Sequence, residues 1–286
     1  MELVASAGLV PGSARSLPRL KLIQPRSVAE ALAALADAEA PALLAGGTDL
    51  VAQFNEGLRP AELVDLSKVA ELCHVHCAGR QLHIGACVTH GAGSSHAQVT
   101  ELAPGFAQGW AQIANPRIRF TATLGGNLMA RRARYEASVL LAAAKGRLEF
   151  ATLGGPVQLT PQDLWAGHAP GRALLATIHI DTANLLHYVY ERSMRPLLTL
   201  AAALRRRADG LALTCAVATE YLPPALLELA LPGRDPGAFA RDARAIAQAL
   251  FAQLPANFND PVVTHAYAQT AGAVLLARRL AGVAHG

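Results

Sequence analysis

Two glycine pairs constrain this chain more than any other feature. The first lies in Leu44-Ala45-Gly46-Gly47-Thr48-Asp49-Leu50, the second in Thr123-Leu124-Gly125-Gly126-Asn127-Leu128. Each sits where an apolar, strand-like run gives way to a helix-like run. Glycine tolerates positive φ and lets another backbone or a ligand approach closely. Such a pair reads in two ways. It is a plain turn, or a nest whose successive N–H groups converge on an anion at a helix N-terminus. Neither pair fits G-x-G-x-x-G or the lysine-bearing phosphate loop. The usual nicotinamide and nucleoside-triphosphate readings therefore gain no support. Two nests gripping one diphosphate from two sides point instead to a dinucleotide.

Composition narrows the classes. At 286 residues the chain has room for two domains or subdomains. Hydrophobic residues make up 52% and charged residues only 16%, which leaves apolar surface for partner contacts. The net charge of +4 is mild, the arginines are scattered and aromatics are 5%, unlike a nucleic-acid groove. No apolar run has the length of a membrane span. The first residues lack a basic segment ahead of a long apolar one, so 1–19 reads as a flexible arm and the chain as cytoplasmic. Four cysteines fit a reducing compartment. Cys73-His74-Val75-His76-Cys77 has metal-ligand residue types, but strand alternation would split them between two faces. We therefore expect no metal there. His90 and His96 read as surface or capping residues.

Local patterns give the elements. Ser27 with Glu30 predicts a capping box for a helix from Pro25 to Glu39, with Val28, Ala31, Leu32 and Leu35 as its apolar stripe. Ala42–Ala45 and Leu63–Leu66 read as strands around a helix from Leu50 to Asn55 capped by Thr48 or Asp49, a small parallel βαβ unit. Leu82–Val88 reads as a strand, Thr89–Ser95 as turns, and Gln98–Ala114 as a helix broken at Pro104-Gly105. Arg147–Thr152 and Val157–Leu159 suggest a hairpin, Thr160–Asp163 a helix start, and Leu174–Ile180 and Leu186–Arg192 strands. Leu197–Arg205 and Leu211–Thr219 flank a turn at Ala208-Asp209-Gly210. A strand at Leu226–Leu231 and helices at Ala238–Leu254 and Val262–Leu280 complete an α+β end domain beginning near residue 182.

Several stretches together resemble a known family. Pro25-x-Ser27-x-x-Glu30-Ala31-Leu32, Leu43 to Leu50, Ile84-Gly85-Ala86-x-x-Thr89, Ile118-Arg119-x-x-Ala122-Thr123-Leu124-Gly125-Gly126-Asn127-Leu128, and Glu228-x-x-Leu231-x-Gly233 are similar to the FAD-binding medium subunit of the molybdenum hydroxylases, of carbon monoxide dehydrogenase and xanthine dehydrogenase type. The resemblance runs from about residue 20 to 281. It implies an α+β fold with a two-part FAD-binding domain over 20–181 (parts 20–75 and 76–181) and a C-terminal domain of antiparallel sheet and helices over 182–286. It further implies that Leu43, Leu44, Ala45, Gly46, Gly47, Thr48, Asp49 and Leu50 cradle the FAD diphosphate, and that Ala122, Thr123, Gly125, Gly126 and Asn127 bind from the other side. Ile113 and Leu175 fall near the flavin.

The same resemblance places molybdopterin and [2Fe-2S] clusters on partners, a molybdopterin-binding large subunit and an iron–sulfur subunit, in a dimer of heterotrimers. Nucleic acid and membrane are not expected partners. The expected work is electron transfer from those clusters through FAD to an external acceptor, with no catalytic acid, base or nucleophile on this chain. Some positions depart from the family. A proline-containing stretch ending in Asp is replaced by Met129–Tyr135 with Glu136 in the Asp place, kept as an acceptor for a ribityl hydroxyl; Arg131, Arg132 and Arg134 of that stretch read either as a solvated face or as charge for the diphosphate or a cofactor partner. Phe120 replaces a frequent Asn, and Glu191 beside Arg192 aligns with a Lys of some relatives. Two alternatives stay open: a subunit that has lost FAD and serves assembly, and a standalone flavin oxidase.

Overall fold

A computed structural model describes residues 20–39, 41–194 and 197–282. The expected N-terminal arm, residues 1–19, lies outside the described residues. The first part contains β1 (Lys21–Ile23), α1 (Val28–Asp37), β2 (Pro41–Leu44), α2 (Leu50–Asn55) and β3 (Glu62–Asp65). Its three strands form a parallel sheet in the order β1-β3-β2. Helix α1 buries Ala31, Leu32 and Leu35, and Ser27 Oγ accepts the Glu30 N–H at 3.1 Å. The capping box does not close, because the Glu30 carboxylate takes the N–H of Arg26 instead (2.7 Å). Strand β1 has no apolar alternation to announce it. Pairing with β3 and the Lys21–Glu62 contact (2.9 Å) hold it in place.

The middle part runs through β4 (Val75–Ala78), β5 (Gln81–Gly85), α3 (His90–Ser94), α4 (Ala97–Leu102), α5 (Pro104–Trp110), α6 (Pro116–Arg119), α7 (Leu124–Met129), α8 (Ala137–Ala143), β6 (Arg147–Ala151), β7 (Val157–Leu159), α9 (Pro161–Trp165) and β8 (Leu174–Asp181). Its strands form an antiparallel sheet in the order β4-β5-β8-β6-β7. The run expected as a strand to Val88 stops at Gly85. There the backbone turns against Leu72, and a Cβ on Gly85 would overlap the Leu72 carbonyl. The stretch expected as turns is helix α3, because Thr89 Oγ1 caps it through the Ala92 N–H (3.2 Å). Gly93 of α3 lets the Trp110 indole lie directly on the helix. The helix start expected at Thr160–Asp163 is α9, and Thr160 and Asp163 form a capping box there.

The last part holds β9 (Leu185–Arg192), β10 (Leu198–Arg207), β11 (Gly210–Thr219), β12 (Ala225–Pro232), α10 (Pro236–Arg241), α11 (Ala243–Phe251) and α12 (His265–Leu280). The strands form an antiparallel sheet in the order β12-β11-β10-β9, with β10 and β11 joined where Arg207 faces Gly210. Strands β10 and β11 are apolar nearly throughout because both faces are covered. Ala201, Ala203, Ala216 and Ala218 belong to the core around α8, whereas Leu200, Leu213 and Val217 pack with α11 and α12. All seven residues of α8 are buried, and small side chains opposite it allow that close fit. The helix expected from Ala238 to Leu254 is divided at Asp242. Helix α12 begins three residues later than expected, because Asp260 holds the N–H groups of Val262 and Val263 (2.7 Å each) and Thr264 caps the helix. The chain is α+β, with a two-part first region and a C-terminal sheet covered by helices.

Candidate functional site

The first glycine loop leaves β2 and opens α2. Gly47 has φ +71°, a conformation that a side chain strains. A Cβ on Gly46 would overlap the Thr121 carbonyl oxygen and lie 2.9 Å from the Ala122 Cα. The two glycine loops therefore touch, backbone to backbone, and Ala45 faces Gly126 across the same seam. Among the described residues, no protein acceptor meets the N–H groups of Gly46, Gly47, Thr48 or Asp49. Asp49 stands at the N-cap position of α2, yet neither it nor Thr48 caps the helix.

The second loop differs in how it uses its amides. Leu124 donates to the Val88 carbonyl (3.0 Å), Gly125 to Ala86 (2.9 Å), Gly126 to Thr123 Oγ1 (3.0 Å) and Asn127 to the Thr123 carbonyl (2.9 Å). A Cβ on Gly125 would stand 2.6 Å from the Ala86 Cβ. All four N–H groups are spent within the protein. This loop is a wall pressed onto the turn after β5, not the second amide nest that its sequence suggests.

Both loops line one cavity of about 920 Å³, at the upper end for small-molecule and cofactor sites. Leu43, Ala45, Gly46, Gly47, Thr48, Asp49 and Leu50 contribute from the first loop, and Ala122, Thr123, Gly125, Gly126 and Asn127 from the second. Ile113, Glu136 and Leu175 complete the set expected from the sequence. Leu44 is the exception. It does not line the cavity; its Cδ1 would lie 3.0 Å from a Cβ on Gly47, filling the space under the turn. Ile113 and Leu175 are buried and add apolar lining to the cavity. Open amides at a glycine turn, a roomy cavity and apolar walls fit a dinucleotide with a flat aromatic ring.

The wall also contains residues outside the expected FAD-contact set. Arg134, Tyr135, Arg172, Arg192 and Glu220 line it, Arg134 being one of the arginines open to a role beside the diphosphate. Tyr135 donates from its hydroxyl to Asp49 Oδ1 at 2.6 Å, and Arg132 Nε donates to the same oxygen. Gln53 donates to Oδ2, and Arg132 also reaches Glu56 at 3.3 Å. Burial raises the Asp49 pKa, but these donors outweigh it and leave the carboxyl below its usual range. The arginine-rich replacement segment is thus tied to the first loop. The sequence marks this segment only by its departure from the family and by its arginines; it does not show Asp49 as the partner of Arg132.

A second polar group closes another part of the wall. Glu136 Oε1 accepts from the Tyr190 hydroxyl (2.6 Å) and faces Arg192 Nη1 (3.3 Å). Burial, and the Glu136 charge beside it, push the Tyr190 pKa far up, so Tyr190 stays a donor. Strand alternation sends Glu191 the opposite way, where it meets Arg279 (2.7 Å) of α12. Arg192, not Glu191, is the residue of this pair at the cavity.

Among the described residues no histidine lines this cavity. His76, His83 and His179 stand opposite one another across β4, β5 and β8. His179 Nδ1 is 2.8 Å from His83 Nδ1, with Glu149 at its other nitrogen (3.2 Å). Among the described residues no group of three or more His, Cys, Asp or Glu is arranged to hold a metal ion. His96 caps α4 by accepting from the Gln98 N–H, as expected. His90 contradicts the surface reading. It is fully buried and its Nδ1 accepts from Trp110 Nε1 (2.7 Å). No described helix is long and apolar enough to cross a membrane.

Comparison with known proteins agrees with this geometry. Residues 18–180 match the family of the FAD binding domain in molybdopterin dehydrogenase. The nicotine 6-hydroxylase medium subunit of Paenarthrobacter nicotinovorans is 30% identical over 152 residues, 53% of this chain and 54% of that one. Caffeine dehydrogenase subunit beta of Pseudomonas sp. (strain CBB1) is 31% identical over 148 residues, 51% and 50% of the two chains. The match thus spans about half the length of these curated relatives. A chain of reconstituted CO dehydrogenase from Oligotropha carboxidovorans superposes with a TM-score of 0.78 at 22% identity, covering 95% of this chain and 100% of that one, which shows a shared fold. On the family match, this chain belongs to the FAD-binding domain family of molybdopterin dehydrogenases.

Proposed function

We propose that the cavity between the glycine loops holds FAD non-covalently and that the chain is the electron-transfer subunit of a molybdenum hydroxylase complex. The observation that carries this reading is the set of open amides from Gly46 to Asp49 on the wall of a cavity large enough for a dinucleotide. Backbone N–H groups there would meet the diphosphate. The buried apolar lining of Ile113 and Leu175 would meet the ring, and Glu136 would accept from a ribityl hydroxyl. Residues 20–181 are the proposed FAD-binding domain, in parts 20–75 and 76–181, and 182–286 the C-terminal domain.

Bound FAD supplies one- and two-electron chemistry; the residues of this chain bind it, orient it and set the charge around it. The rest of the reading rests on the relatives, which are named as subunits of dehydrogenases and hydroxylases. By that analogy [2Fe-2S] clusters and molybdopterin sit on an iron–sulfur subunit and a large subunit, in a cytoplasmic dimer of heterotrimers. Electrons would pass from the clusters through this chain to an external acceptor. Purification of the complex tests the proposal. A flavin absorbance spectrum, with FAD released on denaturation in one-to-one ratio with this chain, supports it. A fully assembled complex without flavin overturns it.

A further inference from the structure

The diphosphate of a dinucleotide carries two negative charges, and the two loops do not meet them equally. The first loop offers open amides; the N–H groups from Leu124 to Asn127 are all engaged by protein acceptors. An anion held here needs positive charge from another source. Three arginines line the cavity. Arg192 is paired with Glu136, and the Arg172 guanidinium donates to the Ala36 carbonyl. Arg134 has no carboxylate partner among the described residues, and its guanidinium stands 5.9 Å from the centre of the Tyr135 ring. Tyr135 is fixed by its hydrogen bond to Asp49, which Arg132 neutralises. Arg132, Asp49 and Tyr135 are thus linked at the end of the first loop, and Arg134 stands next to the Tyr135 ring on the wall of the same cavity.

We propose that Arg134 is a diphosphate-binding residue, supplying the charge that the second loop's engaged amides do not. This rests on the FAD reading above. Arg132 and Tyr135 act through it as positioning residues. Arg134 is exposed, so its replacement leaves the core untouched.

The test is FAD affinity of the full-length chain, followed by flavin fluorescence across a range of salt concentrations, for wild type, Arg134→Gln and Arg134→Lys. Arg134→Gln should weaken FAD binding about tenfold at low salt and flatten its salt dependence. Arg134→Lys should retain most of the affinity and the wild-type salt slope. Unchanged affinity in Arg134→Gln overturns the proposal. Equal loss in both variants also overturns it, since stacking rather than charge would then be the contact. A folded wild-type chain that takes up no FAD would instead remove the reading on which the proposal rests.

Discussion

Gly46 packs against the Thr121 carbonyl with room for hydrogen alone. That contact joins a loop from the parallel sheet to a loop from the helical middle part and forms the seam of the cavity. Gly46→Ala must push the two backbones apart, since neither neighbour is a side chain that can rotate away. The expected cost is about 1–3 kcal/mol of stability, as for other overpacked sites, with loss of retained flavin. Thermal unfolding and flavin content measure the two effects. Full flavin retention at wild-type stability would mean that the seam opens freely.

Gly47→Asp should lose flavin for a different reason. The position has φ +71°, which costs a side chain about 1–2 kcal/mol. The new carboxylate would also stand among the open amides and repel the diphosphate. Gly47→Ala carries the strain without the charge. We expect it to keep partial flavin occupancy where Gly47→Asp keeps none; equal occupancy would discount the role of the first loop in anion binding.

Asp49 draws Arg132 and Tyr135 onto one oxygen. Arg132→Met should reduce stability by about 1 kcal/mol, a modest figure because the pair is partly solvated. Tyr135→Phe should cost a similar amount, about 0.5–1.5 kcal/mol. Because both donors serve the same carboxylate, the double variant should fall short of the sum. Strict additivity in urea unfolding would show that the two donors act separately.

The two-loop arrangement was legible in sequence because glycine pairs at strand–helix junctions have few uses, and because apolar periodicity marks β2, α2, β10 and β11 directly. The loops' unequal roles were not legible. Which amides are free depends on Val88 and Ala86, residues distant in sequence whose carbonyls happen to face Leu124 and Gly125. The pairing of Arg132 was hidden for the same reason: Asp49 reads locally as a cap, and only tertiary packing turns it toward Arg132. Strand phase explains the choice between Glu191 and Arg192. The alternation was visible, but the face that meets the cavity was not. His90 misled because polarity predicts exposure, whereas its Nδ1 is satisfied by a tryptophan from another helix.

His90 yields a pH prediction. Trp110 Nε1–H occupies Nδ1, so the neutral ring carries its proton on Nε2, and protonation would set one N–H against another. Burial, reinforced by nearby Arg119, pulls the pKa down to about 4. In the unfolded chain it returns to about 6.5. As pH falls below about 6.5 the unfolded chain takes up a proton that the folded chain refuses, so stability falls until about pH 4 and then levels off. The full contribution is on the order of 3 kcal/mol. His83 and His187 are also shifted downward and add to the slope, whereas Asp49 and Asp260, held below the usual carboxylate range, lose stability at lower pH. Comparison with His90→Phe isolates the one residue. That variant should be less stable near neutral pH, because Trp110 loses its acceptor, yet lose less stability on acidification. Urea unfolding at about pH 7, 5 and 4 measures the difference, and parallel pH curves for the two proteins would show that His90 is protonated alike in the folded and unfolded states.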